Sequence, residues 1–298
     1  MTPSISVSGL SRRYRDQVAI DDVTLDVEGP SITGLLGRNG AGKSTLLRII
    51  ANQEFASAGT VSVLGHSPVE NDAVLRRMVL VREDQAFPDI KVGQALRAAS
   101  WFYPNWDGEL ADALRADFEL PSNRAIKKLS RGMRSALGIV IGLAAQAEIT
   151  LFDEPYAGLD AVARQLFYDR LLACYAVRPA TYVLSTHLID EAADLLEMVI
   201  IIDHGRIVLD ATADDVRGSA TNVSGPVAAV EELVAGRRTW DRRRMATQES
   251  VVVAGSLDDA ERARARELRV DLEPLSIQQV VVHAAGANRD IPAERSNA

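Results

Sequence analysis

The chain has 298 residues, 47% hydrophobic and 25% charged, the proportions of a globular protein with a sizeable buried core. Its net charge of -8 argues against broad nucleic-acid binding, because neutralising phosphates needs a basic surface. One cysteine, Cys174, excludes an internal disulfide and a thiolate metal cluster; beside Leu171, Leu172 and Tyr175 it reads as a packed core thiol.

From the N-terminus, which lacks the charged-then-apolar order of a signal peptide, to residue 218, short apolar runs alternate with helical patterns. That alternation is the mark of an α/β domain. Residues 32–36 form a strand that enters a glycine-rich turn, and 44–51 continue as a helix. Across residues 86–146 strand signals fade and helical spacing takes over. There Met133, Leu137, Val140, Ile141 and Ala144 share one helical face, with Ser130 suited to cap it. Residues 149–152, 182–184 and 198–202 are buried-strand runs, and even the last is far short of the ~18 apolar residues of a membrane helix. After Gly218 a polar stretch, 219–225, gives way to a shorter alternation. It reads as a strand, a helix at 227–234, strands at 238–244 and 250–254, a helix at 258–268 and a strand at 270–273. That order suits a small split βαβ, ferredoxin-like appendage. The polar residues 288–298 are expected to fray.

The strongest chemical signal is Gly37-Arg38-Asn39-Gly40-Ala41-Gly42-Lys43-Ser44-Thr45, a phosphate-binding loop between a strand and a helix. Its glycines let successive N–H groups curl around phosphate oxygens, and the helix N-terminus adds a favourable dipole. Lys43 is placed to reach the β- and γ-phosphates of a nucleoside triphosphate, and the Ser44 hydroxyl to ligate Mg²⁺. A second apolar strand delivers Asp153 and Glu154 at its end, where α/β sheets hold their ligands. Asp153 suits the Mg²⁺ shell and Glu154 suits polarising an attacking water.

Leu129-Ser130-Arg131-Gly132-Met133 lies 23 residues before Asp153 and opens an amphipathic helix. It resembles the signature motif of ATP-binding cassette (ABC) proteins, with arginine and methionine replacing the first glycine and the glutamine of the usual Leu-Ser-Gly-Gly-Gln. Ala157-Gly158-Leu159-Asp160 follows as the family's D-loop does, and Ser185-Thr186-His187 ends a strand as its switch histidine does. Tyr14 precedes the phosphate loop at the distance of the family's adenine-stacking aromatic. Over residues 4–216 order and spacing agree, so the chain resembles the nucleotide-binding subunit of a bacterial ABC exporter whose membrane chain is encoded separately.

The resemblance implies an α/β ABC-type P-loop NTPase domain, residues 1–218, with a helical subdomain at 86–146 and a small α+β accessory domain at 219–298. It implies ATP and Mg²⁺ as cofactors, and a homodimer or heterodimer of ATPase subunits beneath a transmembrane permease at the cytoplasmic face of the cell membrane. Lys43, Glu154 and His187 would be catalytic. Ser130 and Gly132, with Asp160, would meet ATP bound on the neighbouring subunit. The family's Q-loop glutamine falls on Glu83, with Asp84 and Gln85 beside it; Glu83 and Gln85 are the further metal candidates. His66, His204 and His283 have no catalytic setting. The aromatic run Trp101, Phe102, Tyr103 and Trp106 reads as core of the insertion, with a docking groove for a permease helix as the alternative. Arg242-Arg243-Arg244 reads as a solvated strand face. The competing functions are a soluble ABC ATPase acting on ribosomes or nucleic acid, and a regulatory module that holds nucleotide without hydrolysis.

Overall fold

The computed structural model describes residues 3–15 and 17–286. They form two compact units, Met1–His187 with Ile202–Ile207, and Leu188–Ile201 with Val208–Ala298.

The first unit begins with β1 (Ile5–Tyr14), β2 (Gln17–Val27) and β3 (Ser31–Leu36), followed by α1 (Lys43–Ile50), β4 (Ala58–Val63), α2 (Asp72–Leu75) and β5 (Met78–Arg82). Strands β2, β1 and β4 form an antiparallel sheet. Its central strand buries Ile5, Val7 and Leu10 and leaves Ser8 exposed, as a strand covered on one face does. Next comes the helical segment α3 (Val92–Phe102), α4 (Gly108–Asp117) and α5 (Arg131–Ala144), then β6 (Ile149–Asp153), α6 (Ala161–Val177) and β7 (Thr181–Thr186). Strands β5, β6, β7 and β3 lie side by side and parallel. Every residue of β3, β6 and β7 is buried, which is why these runs read as continuously apolar rather than alternating. The register sets Leu36 opposite Thr186, Arg82 opposite Asp153, and Asp153 opposite Ser185. The loops that follow these strands therefore emerge at one edge.

Short polar side chains start three of the helices around the site. Asp107 accepts from Leu110 N–H at α4, Ser130 from Met133 N–H at α5, and Asp160 from Ala163 N–H at α6. Helix α5 is buried on every side from Ser135 to Ala144, more than the single apolar face read from sequence, while Met133 of that face is only half-buried. Cys174 is buried on α6, and burial pushes its thiol pKa up. The aromatic run departs from expectation. Helix α3 buries Val92, Ala95, Leu96 and Ala99 at helical spacing, so Trp101 falls off that stripe, 72% exposed, and Phe102 at the helix end is 62% exposed. They are surface residues, not core.

The chain continues through α7 (Ile189–Ala192), the strands β8 (Met198–Asp203) and β9 (Arg206–Thr212), which the unit boundary divides, and α8 (Ala213–Arg217). The rest of the second unit comprises β10 (Ala220–Pro226), α9 (Val227–Leu233), β11 (Thr239–Met245), β12 (Gln248–Ala254), α10 (Asp259–Leu268), β13 (Asp271–Pro274) and α11 (Ile277–Gly286). Its strands run β13-β10-β12-β11, all antiparallel, the split βαβ order expected from the sequence. Val223, Val230, Val251, Val253 and Ala265 make its core. Arg242, Arg243 and Arg244 are exposed and ion-paired with Glu249, Asp241 and Glu231, a solvated strand face as read. Residues 288–298 lie outside the described residues. No helix among the described residues is long and apolar enough to cross a membrane.

Candidate active site

The phosphate loop turns sharply out of β3, and two of its glycines are there for space. Gly42 has φ +111°, and a Cβ on it would lie 2.6 Å from the Ala19 carbonyl oxygen; on Gly37 it would lie 2.2 Å from that of Ile202. Backbone bonds pin the loop: Ala41 N–H donates to Arg38 O at 3.1 Å, and Gly205 N–H to Ala41 O at 2.9 Å. Gly42 is the N-cap of α1 and offers no side chain to its first-turn amides, which suits them to an anion.

A cavity of about 720 Å³ opens above the loop. Asn39, Gly40, Gly42, Lys43, Ser44 and Thr45 line it together with Tyr14, Glu83, Asp153, Glu154 and His187. Lys43 Nζ donates to the carbonyls of Gly37 at 2.7 Å and Arg38 at 3.1 Å, and lies 3.9 Å from Glu154 Oε1. Burial lowers its pKa, opposed by the charges of Glu154 and Asp153. Ser44 Oγ donates to Asp153 Oδ1 at 2.9 Å. Burial raises the Asp153 pKa, opposed by that hydrogen bond and by the charges of Arg48 and Lys43. A hydroxyl and a carboxylate oxygen side by side are the hard donors that Mg²⁺ takes, so this pair fits the ion.

Glu154 adopts φ +50°, rare for a non-glycine residue. That left-handed turn at the end of β6 goes with a carboxylate that meets both Lys43 and His187 Nδ1. His187 is held in turn: its N–H donates to the Tyr156 hydroxyl at 3.3 Å, and Tyr156 bonds Thr186 Oγ1. Sequence reasoning passed over Tyr156, although an aromatic two residues after the carboxylate pair was the available signal.

The remaining expected residues divide. Tyr14 lines the cavity, its hydroxyl bonded to Glu54 and its ring under Arg12 at 4.5 Å. Of the three acidic or amide positions after β5, Glu83 and Asp84 line the cavity. Gln85 does not; it lines a neighbouring groove, with Oε1 buried and unpartnered. Gly37 and Ala41 shape the loop without lining the cavity, and Ser130, Gly132 and Asp160 line no part of it. Ser130 and Asp160 instead cap their own helices, and Gly132 packs so tightly on Gly158 that an added Cβ would lie 2.4 Å from its carbonyl oxygen.

A phosphate loop, a buried carboxylate beside its serine, and a second carboxylate in contact with lysine and histidine narrow the chemistry to nucleoside triphosphate hydrolysis. Comparison with known proteins decides the family. The ABC transporter family profile matches residues 20–157. The Nod factor export ATP-binding protein I of Ralstonia nicotianae is 33% identical, over 69% of this chain and 66% of that protein. The daunorubicin/doxorubicin resistance ATP-binding protein DrrA of Streptomyces peucetius is 31% identical, over 73% of this chain and 68% of that protein. The chain belongs to the ABC transporter family. The match spans about two thirds of the length of these relatives. Among solved structures, an ATP-binding subunit of an ABC transporter superposes with a TM-score of 0.65 at 26% identity, over 72% of this chain and 91% of that one. This ABC subunit binds ATP and is an ATPase.

Proposed function

We propose that this chain hydrolyses ATP to power export through a separate transmembrane permease, working as two copies at the cytoplasmic membrane face. The relatives named for Nod factor export and drug resistance support the direction. The domain boundary proposed is 1–218 for the ATPase and 219–298 for an accessory domain. Tyr14 stacks on the adenine, and the amides of the phosphate loop with Lys43 hold the phosphates. Ser44 and Asp153, with Glu83 beside them, hold Mg²⁺, which when bound neutralises charge on the β- and γ-phosphates. Glu154 takes the proton of the attacking water, and His187 steadies that carboxylate and the water.

Ser130, Gly132 and Asp160 line no part of the Lys43 cavity. In this reading the nucleotide they meet is the one held by the second copy, and the helix N-terminus of α5 supplies its amides to that γ-phosphate. Closure of the pair assembles two complete sites, and loss of phosphate reopens them.

The observation that carries this reading is the contact of Glu154 with both Lys43 and His187 at the sheet edge. The test is Glu154→Gln in the full chain. A general base contributes about 10²- to 10⁴-fold, so turnover should fall at least ~100-fold while ATP binding persists and dimer accumulates. Phosphate release at the wild-type rate would remove Glu154 from the role.

A further inference from the structure

Two residues at which the chain departs from its family's usual pattern, separated by 48 positions, meet in space. Arg131, in the signature segment, donates Nη2 to Glu83 Oε1, in the segment after β5. The arginine is the first residue of α5, at the positive end of the helix dipole, and no acidic residue shares its first turn. A cation there is unfavourable unless an anion faces it. The anions nearby have other partners: Asp84 faces Arg82 and Arg48, and Asp89 faces Lys127. Glu83 is thus the anion that compensates Arg131.

Glu83 is not a neutral bystander to the nucleotide. Glu83 lines the Lys43 cavity, and its N–H donates to Asp153 O at 3.0 Å, so its backbone is tied to the strand end that carries the carboxylate proposed for Mg²⁺. Arg131 lies along Gly158, where an added Cβ would meet its Cγ at 3.0 Å, and its side chain is 63% exposed. Glu83 therefore borders the Lys43 cavity of its own chain and holds the first residue of the helix that Ser130 caps.

We infer that the Glu83–Arg131 ion pair is a latch on the two-copy site, coupling the nucleotide held in cis to the phosphate gripped in trans. With the pair closed, Glu83 neutralises Arg131. When Glu83 turns to the metal-bearing nucleotide of its own chain, Arg131 is released to pair with the terminal phosphate on the partner copy, a stronger, bidentate acceptor for a guanidinium. Occupancy of one site thereby primes the other. This rests on the two-copy reading of Ser130 and Gly132 given above.

The test reads the dimer dissociation constant by sedimentation in the Glu154→Gln background with ATP and Mg²⁺. Arg131→Gly should weaken the dimer by roughly tenfold or more, through loss of two charge-assisted contacts per dimer. Glu83→Gln should strengthen it by roughly three- to tenfold, because two exposed ion pairs no longer oppose closure. The double variant should behave as Arg131→Gly alone, since the latch has nothing left to hold. A merely structural ion pair would move both single variants in the same direction; that result, or no change in either, overturns the latch. Failure of Glu154→Gln itself to dimerise with ATP would overturn the two-copy site, and the latch with it.

Discussion

Gly42→Ala tests whether the phosphate loop depends on backbone space as much as on Lys43. The perturbation has two parts with the same sign. A side chain at φ +111° is strained by about 1–3 kcal/mol. The new Cβ would also lie 2.6 Å from the Ala19 carbonyl oxygen and 2.9 Å from Ile20 Cδ1; the first is backbone and cannot swing aside. Overpacking of that kind costs about 1–3 kcal/mol. Together they give about 2–6 kcal/mol, opposed only by the small conformational gain of alanine over glycine in the unfolded chain. At about 2–4 °C per kcal/mol, and with about 1 kcal/mol taken off for that gain, the melting transition of the nucleotide-free protein should fall by at least ~2 °C. Differential scanning calorimetry without nucleotide isolates this from any ligand effect. A Tm within about 1 °C of wild type would refute the steric argument, whatever happened to ATP binding.

Two further predictions follow from buried charge. Burial raises the Asp153 pKa, so the fold favours its protonated form: the charged form costs stability above the folded pKa, and that cost fades as pH falls through it. Mg²⁺-dependent ATP binding, measured by titration calorimetry across pH, should therefore begin to weaken on acidification at a pH above that at which an ordinary aspartate titrates, ~4; Asp153→Asn should remove that component of the pH dependence and leave the one due to the nucleotide's own phosphates, and an unchanged profile in the variant would contradict the assignment. In the second unit, Arg242 lies 3.5 Å from Glu249, whose side chain is 1% exposed. Arg242→Met should destabilise the protein by about 1–2 kcal/mol in urea unfolding, because it strands a buried carboxylate, whereas Arg243→Met, which removes an exposed pair with Asp241, should stay within about 0.5 kcal/mol.

Much of the site was readable in the sequence because its devices are local. Gly37 through Thr45 turn a strand into an uncapped helix N-terminus within nine residues, and Asp153 and Glu154 stand together at the end of an apolar strand. The central strands were legible as short apolar runs of strand length, and α5 because apolar residues recur at helical spacing behind a serine cap. What local reasoning could not see depends on contacts across the chain. Glu83 and Arg131 pair over 48 residues, and no periodicity links them. Gln85 carries the residue type expected at the metal, yet the backbone after β5 puts Glu83 and Asp84, not Gln85, at the cavity. The β1–β2 ladder shifts register three times, which breaks the alternation that a clean strand would show. Trp101 looked like core by residue type, but its position around α3 decided its exposure.

If each ATP site is shared between two copies of this chain, two variants that are inactive alone should complement each other in a mixture. Lys43→Ala and Ser130→Arg each disable both sites of a homodimer, so each variant alone should release phosphate at the background rate. Mixed at equal amounts, half the dimers pair one of each variant, and each such dimer keeps one intact site, so about a quarter of wild-type activity should return. Phosphate release no higher than either variant alone would contradict the shared site.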